Sequence, residues 1–248
     1  MVLLVLAGLS LVPAYLHAYT LIGPSDIPTV LLGDKIIVNS AAYKVKLPYS
    51  NVTLFRSGLP KRGDFVLLHL PSHPRLKFGF FKRVMGLPGE IIEIRENRVI
   101  VNGRTIPVRA LSVADFAWVP KAHPIGSVVQ SEDGNWITFT PGKSEHRNHP
   151  PIRLSDGQYF VLGDNRDDSE DSREFGPVSG DLLLGKVIAS LATGELGVRR
   201  LPICGRERNA PKPRGQREKL HGNQVTLLAF DGRASNPAGL FLVRAHIV

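Results

Sequence analysis

The chain of 248 residues contains a single cysteine, Cys204. One cysteine excludes an internal disulfide and any zinc site built from several cysteines. It does not assign a cellular compartment, since many proteins outside the cytoplasm carry no disulfide. Long regular helices are also not expected, because 19 Pro and 24 Gly interrupt the chain. Collagen, coiled coils and disulfide scaffolds are therefore excluded, and we expect mostly strand and loop.

Charge is missing from the N-terminus, where no Asp, Glu, Lys or Arg precedes Asp26. Residues 2–22 are largely apolar and long enough for a membrane span, so we predict a membrane segment over residues 1–22. A buried segment of a folded domain is the alternative. The missing Lys and Arg leave no positive region typical of a cleavable signal peptide and no sign of orientation.

Positive charge is concentrated at the other end of the chain. Residues 199–248 hold ten Lys and Arg against three acidic residues, whereas residues 1–198 hold 21 against 19. We predict a basic, disordered tail over residues 199–248, because its charged clusters alternate with Pro and Gly. A tail that binds anionic lipid or nucleic acid is the weaker alternative, and no nucleic-acid partner is expected.

Short runs of β-branched and aromatic residues between turn signals predict a mainly β protein. The predicted strands cover residues 35–38, 64–70, 78–85, 91–95, 98–101, 136–139 and 159–162. The strands at 91–95 and 98–101 form a predicted hairpin. Residues 104–151 are polar and poorly periodic, which predicts a smaller subdomain inserted between residues 23–103 and residues 152–198.

Three segments have residues suited to chemistry, and the first is GPSDIPT at residues 23–29. Pro24 fixes its own φ and Gly23 has no side chain, so a substrate carbonyl could approach the backbone beside Ser25 closely. An ordinary turn before the first strand is the alternative for this segment.

The second segment, residues 80–90, contains a lysine among apolar neighbours. Strand alternation places Phe80, Lys82 and Val84 on one face. Desolvation lowers the pKa of a lysine from about 10.4, so a buried lysine can act as a base. The alternative is an edge-strand lysine that extends its amine into solvent.

The third segment, residues 163–173, is dense in acidic and hydroxyl residues. A calcium loop is an alternative, but Ser169 or Ser172 stands where such a loop needs glycine, and the final Glu is missing. We expect instead a rigid loop whose carboxylates pair with arginines and whose serine hydroxyls support a neighbouring catalytic group.

In this order the three segments resemble type I signal peptidases, which are membrane-bound serine proteases with a Ser/Lys dyad. The family pattern KRVxGLPG is matched by residues 82–89, and GDNRxxSxDSRxxG by residues 163–176. Residues 60–64 match PKRGD, so the resemblance covers about residues 20–188. It implies a signal-peptidase-like, β-rich catalytic domain with no metal and no cofactor.

The resemblance also implies roles for individual residues. Ser25 would be the nucleophile and Lys82 the general base. The backbone N–H of Ser25 would stabilise the oxyanion. The residues expected at the oxyanion hole and substrate pocket are Gly23, Asp26 and Pro28.

Five further residues would support this pair in the family. Ser169 would form a hydrogen bond with the lysine amine and orient it. Asp164 would pair with Arg83, and Asp171 with Arg173 would brace the last loop.

Two features depart from the family pattern. Asp26 stands where the family usually has methionine, and a carboxylate there favours the charged form of a lysine. We therefore expect reduced activity, and a catalytically impaired or inactive family member is the alternative function. The family's strand over residues 15–22 would leave about 12 residues for a helix of about 18 Å, against about 30 Å of hydrocarbon. This predicts an incomplete or interfacial anchor, unless the start site is placed too far downstream.

The function implied by the resemblance is removal of N-terminal signal peptides from secreted pre-proteins. The substrate would bind as an extended peptide and be cut after small residues in an A-x-A pattern. The expected location is the bacterial-type cytoplasmic membrane, with membrane lipid as a partner and the catalytic domain on the extracytoplasmic side.

Overall fold

The computed structural model describes residues 13–70, 79–110, 128–132, 134–139, 146–191 and 198–199. Most of the predicted membrane segment and nearly all of the predicted tail lie outside these residues. No helix among the described residues is long and apolar enough to cross a membrane.

Strands dominate the described residues, which confirms the mainly β prediction. In chain order they are β1 (Leu16–Thr20), β2 (Lys35–Asn39), β3 (Lys44–Lys46), β4 (Thr53–Arg56), β5 (Phe65–Leu68), β6 (Phe80–Gly86), β7 (Ile91–Arg95), β8 (Arg98–Val101), β9 (Arg104–Thr105), β10 (Val108–Ala110), β11 (Val128–Glu132), β12 (Asn135–Phe139), β13 (His149–Arg153), β14 (Gln158–Leu162), β15 (Val178–Ser179), β16 (Leu183–Leu191) and β17 (Val198–Arg199). The other described elements are a helical stretch at residues 13–15, one short helix, α1 (Ser172–Phe175), and two 3-10 turns, Pro24–Asp26 and Gly180–Leu182.

The strands form one large sheet and three small ones. The large sheet has the order β1-β2-β16-β5-β6-β14-β15, with β17 paired to β16, and its neighbours run antiparallel. The small sheets are β13-β7-β8-β9, β10-β11-β12 and β3-β4. The predicted hairpin is confirmed, because β7 pairs with β8 and Arg95 lies opposite Arg98.

The segment predicted as an inserted subdomain is tied to the rest of the chain at several points. β9 and β13 belong to the same sheet as β7 and β8. On β12, Thr138 N donates to Asp164 O at 2.9 Å, and Arg166 N donates to Thr138 O at 3.0 Å. The segment therefore packs against the loop that follows β14, while the domain division itself remains a prediction.

Strand β6 lies in the middle of the large sheet and is buried along its whole length. Phe80 and Val84 belong to one apolar cluster, whereas Phe81 belongs to a second and Met85 to a third. The alternation predicted for this strand is therefore present, since successive side chains enter different parts of the core. A polar residue on β6 is consequently carried into the protein interior.

Candidate active site

Ser25 lies in a 3-10 turn between β1 and β2. Leu21 N donates to Asp34 O at 3.0 Å, and Gly33 N donates to Leu21 O at 2.9 Å, so the paired strands close the ends of this loop. Pro24 stands at the start of the turn, where its fixed φ suits a helical conformation and no backbone donor is lost. The loop therefore holds Ser25 at the end of an antiparallel pair.

The loop after β14 fixes the serine turn from the other side. Asn165 N donates to Ser25 O at 2.9 Å, and Asn165 Nδ2 donates to Pro24 O at 3.2 Å. A Cβ on Gly163 would lie 2.7 Å from Ser25 O and would overlap the hydroxyl of Ser169. The close approach of the two loops therefore requires glycine at position 163.

Lys82 reaches Ser25 from strand β6. Its side chain is buried, with 2% of the residue exposed, and Nζ donates to Ser25 Oγ at 2.9 Å and to Phe81 O at 2.9 Å. The alternative of a lysine extended into solvent is wrong, because β6 is flanked by β5 and β14. Tertiary structure thus joins two residues separated by 57 positions.

Asp26 turns its carboxyl toward the same hydroxyl. Oδ2 accepts a hydrogen bond from Ser25 Oγ at 2.8 Å, and the residue is fully buried. Burial raises the pKa of Asp26 to about 6, and the nearby charge of Lys82 limits the rise. Pro28 is buried as well, so neither side chain lines an open surface of the kind expected for a substrate pocket.

Gly23 precedes the turn in extended conformation, with φ −114° and ψ 155°. A Cβ added there would meet no atom within 4 Å. Packing therefore does not require this glycine, and the space beside Ser25 is open on this side.

The expected pairing of Arg83 with Asp164 is present and fully buried. Arg83 Nε donates to Asp164 Oδ1 at 2.8 Å and Nη2 donates to Oδ2 at 2.6 Å. Thr29 Oγ1 donates to Asp164 Oδ2 at 2.5 Å, and Arg83 Nη1 donates to Gly63 O at 2.8 Å. This bidentate pair joins β6, the loop after β14 and the loop that contains Ser25.

The expected pairing of Asp171 with Arg173 is also present. Asp171 accepts from Arg173 Nε and Nη2, both at 2.8 Å, and from Gly163 N at 3.0 Å. Burial favours a higher pKa for Asp171, but the charge and hydrogen bonds of Arg173 lower the pKa below its ordinary value. These carboxylates are thus engaged with arginines, and within the described ranges no cluster of His, Cys, Asp or Glu is arranged to hold a metal ion.

Ser169 does not make the hydrogen bond that the resemblance implies. Its Oγ is buried and has no hydrogen-bond partner among the described residues. The amine of Lys82 donates instead to Ser25 and Phe81, while the Ser169 hydroxyl packs against Gly163. Support for the loop comes from Ser172, whose Oγ accepts from Val161 N at 2.9 Å.

Sequence reasoning missed Thr29 and Asn165 as site residues. Both stand inside the segments that carry the resemblance, GPSDIPT and GDNR, which was the available signal. Their contacts cross 135 and 141 positions of the chain. Only the packing of the two loops shows that the Thr29 hydroxyl donates to Asp164 and that the Asn165 amide donates to Pro24 O.

The sequence of this chain is similar to those of known proteins. The family model described as signal peptidase, peptidase S26, matches residues 1–192. Signal peptidase I of Pseudomonas aeruginosa is 32% identical over an alignment of 158 residues, and the match covers 59% of this chain and 50% of that protein. Signal peptidase IB of Staphylococcus aureus strain COL is 31% identical over 172 residues, covering 68% of this chain and 74% of that protein.

The chain spans about half the length of the Pseudomonas relative. A crystal structure of a signal peptidase I from Enterococcus faecalis V583 is 31% identical, covers 52% of this chain and 97% of that chain, and gives a TM-score of 0.31. That TM-score is too low to support an argument about the fold. Because the family model covers well over half of the chain, the protein belongs to the signal peptidase, peptidase S26, family.

Proposed function

We propose that this protein is a serine endopeptidase of the signal peptidase I type, which removes N-terminal signal peptides from secreted pre-proteins. The observation that carries the proposal is the hydrogen bond of 2.9 Å between Lys82 Nζ and Ser25 Oγ. A buried amine next to a partly exposed hydroxyl is the arrangement that activates a serine without histidine.

In this proposal Ser25 Oγ attacks the carbonyl before the cleaved bond and Lys82 is the general base. Proton transfer to the leaving amine then releases the mature protein and leaves an acyl group on Ser25. The open space beside Gly23 supports the approach of an extended substrate on this side of Ser25. The backbone N–H of Ser25 is the proposed oxyanion donor.

A pre-protein whose signal ends in A-x-A is the test substrate, incubated in detergent with the full chain. We expect one cleavage, after the second alanine, identified by the mass of the product. Replacing that alanine with tryptophan is expected to slow cleavage by at least about 100-fold, because a small pocket excludes the ring.

The matched control replaces the same alanine with serine and is expected to be cut at a similar rate. Equal cleavage of the tryptophan substrate contradicts the proposed specificity. A folded chain that cuts neither substrate supports the alternative of an inactive family member.

We also propose membrane lipid as a partner, at the extracytoplasmic face of the bacterial cytoplasmic membrane. The support is an exposed hairpin, defined as β3, β4 and the turn between them. Its exposed apolar side chains are Leu47, Tyr49, Val52, Leu54 and Phe55. Exposed apolar groups clustered in one element are typical of a lipid or protein contact surface.

Tryptophan fluorescence measures this contact directly. Tyr49, which is 82% exposed, is replaced by Trp in the full chain, and vesicles of phosphatidylglycerol and phosphatidylcholine with brominated acyl chains are added. We expect the added fluorescence to be quenched, because bromine quenches only tryptophans that enter the acyl region. The control is Ile188→Trp on β16, which is expected to stay unquenched. Equal quenching at both positions, or at neither, contradicts a contact through the hairpin.

A further inference from the structure

The hydrogen bonds around Ser25 run in one direction. Lys82 Nζ donates to Ser25 Oγ at 2.9 Å, and Ser25 Oγ donates to Asp26 Oδ2 at 2.8 Å. A hydroxyl has one proton, and this geometry directs it to the carboxylate. Transfer of that proton to Lys82 would require the hydroxyl to turn and the amine to present a lone pair.

Asp26 is also the least satisfied of three buried carboxylates near the site. Asp164 and Asp171 each accept bidentate hydrogen bonds from an arginine. Asp26 receives only the hydroxyl of Ser25, and its Oδ1 has no hydrogen-bond partner among the described residues. A carboxylate in this position gains more from a proton than one held by an arginine.

The charged groups that face Asp26 come from two other segments. Lys82 and Arg83 lie on β6, and Asp164 lies in the loop after β14. Burial raises the pKa of Asp26, Lys82 lowers it, Asp164 raises it, and the Ser25 hydrogen bond and Arg83 lower it, leaving a value of about 6. A group with a pKa near the working pH is suited to general acid–base catalysis.

We propose that Asp26 is a catalytic residue that accepts the hydroxyl proton of Ser25 during attack on the substrate carbonyl. This inference rests on the proposed endopeptidase function. It refines that function, because it moves the first proton transfer from Lys82 to Asp26 and retains Lys82 for the proton transfers that follow.

The acylation step balances with both groups charged at the start. Ser25 Oγ bonds to the substrate carbonyl carbon, and its proton passes to Asp26 Oδ2. The peptide C–N bond breaks while Lys82 donates an ammonium proton to the leaving nitrogen. The products are the free amine of the mature protein, acyl-Ser25, neutral Asp26 and neutral Lys82.

Deacylation reverses these roles. Water attacks the ester carbonyl and gives a proton to the neutral amine of Lys82. The C–O bond to Ser25 breaks as Asp26 returns its proton to Oγ. The signal peptide leaves with a new carboxyl group, and Ser25, the Asp26 carboxylate and the Lys82 ammonium are restored.

This role reverses the effect that the sequence alone predicts for Asp26. If the Asp26 carboxylate only disturbs the Ser/Lys pair, the Asp26→Met variant, which restores the usual family residue, should cleave substrate faster than the parent. If the Asp26 carboxylate accepts the Ser25 proton, the Asp26→Met variant should cleave substrate more slowly than the parent, because a thioether cannot take up a proton. The two interpretations therefore predict opposite signs for one measurement.

The experiment measures kcat/KM for pre-protein cleavage in detergent across a range of about pH 5 to about pH 10. Parent, Asp26→Asn and Asp26→Met are compared as full chains. Near neutral pH we expect kcat/KM of both variants to fall by about 100-fold to about 10,000-fold, mainly through kcat. The acid limb of their pH–rate profile should also move to more alkaline pH.

The control is Asp34→Asn, which removes another buried carboxylate of the same loop, one that accepts from Leu31 N at 3.0 Å. It is expected to keep the acid limb of the parent, whatever its rate. A structural role for Asp26 would lower the rate at every pH without moving the limb. An unmoved limb in Asp26→Asn, or an Asp26→Met variant faster than the parent, overturns the proposal.

A second measurement separates this inference from the proposed function. The burst of p-nitrophenol from p-nitrophenyl acetate, corrected for the burst of Ser25→Ala, reports acylation of Ser25 by an ester whose leaving group needs no proton. A burst that is smaller in Asp26→Asn than in the parent supports Asp26 as the proton acceptor. If the parent shows this burst but does not cleave the pre-protein, the proposed substrate is refuted. A burst unchanged by Asp26→Asn refutes the proton acceptor, and cleavage by the parent would then still support the proposed function. Absence of both burst and cleavage in the folded parent refutes both.

Discussion

Replacing Ser25 with alanine is expected to lower pre-protein cleavage by at least about 10,000-fold, the largest effect expected of any single substitution in this chain. The variant lacks the oxygen that attacks the substrate, and no neighbouring group can take its place. Lys82→Met is expected to cause a similar loss, because its side chain fills the same buried space without the amine that donates to Ser25. The double variant should be no slower than either single variant, since the two residues act as a unit.

Cleavage in detergent and thermal unfolding together check this prediction. The unfolding temperature shows whether each variant keeps the fold. The control is Lys35→Met on β2, an exposed lysine that donates to Thr20 Oγ1 at 2.7 Å, and its activity is expected to match the parent. A folded Ser25→Ala variant that keeps more than about one per cent of the parent rate places the nucleophile elsewhere.

Replacing Arg83 with leucine is expected to destabilise the fold by about 3–5 kcal/mol, because the buried carboxylate of Asp164 loses its paired charge. Only 2% of the Arg83 side chain and none of the Asp164 side chain is exposed, so water cannot replace the lost partner. Asp164→Leu is expected to cost a similar amount through the unpaired guanidinium. The double variant should lose much less than the two single losses combined, since it leaves no buried charge unpaired.

Urea unfolding of the full chain in detergent measures these differences. The control is Arg56→Met, which breaks an ion pair with Asp181 in which the two side chains are 66% and 69% exposed. Its expected cost is below about 1 kcal/mol, because solvent screens exposed pairs. Additive losses in the double variant contradict the interpretation, as does an Arg83 variant no less stable than the control.

These expectations depend on how one strand is placed. β6 pairs with β5 on one side and β14 on the other, so Lys82 and Arg83 both point into packed surroundings. Alternation of apolar residues predicted the strand and the face of Lys82. The alternation could not predict which strands flank β6. Only the flanking strands exclude an edge position for β6, in which the Lys82 amine would be solvated.

Other strands carried a weaker signal in the sequence. β16 lies between β2 and β5 in the large sheet, yet it was not among the predicted strands. The run LLLGKVIASL at residues 182–191 contains apolar residues suited to a strand, but the glycine and lysine within it obscured the pattern. β3 and β4 were also missed, because these two short strands pair with each other as a separate sheet and β4 is exposed along its whole length.

By itself, the sequence determined the mainly β character of this protein, because strand periodicity is a property of the residues themselves. Its ordered motifs, through their resemblance to a family, implied that Ser25 pairs with Lys82, Arg83 with Asp164 and Arg173 with Asp171. Tertiary structure alone decided that the Asp26 carboxyl group points inward to the hydroxyl of Ser25. It also decided that Lys82 donates to Ser25 and Phe81 and not to Ser169. The direction of a side chain at a turn, and the pKa of a carboxyl group, depend on which distant segments exclude water from it. At Ser25 those segments are β6 and the loop after β14.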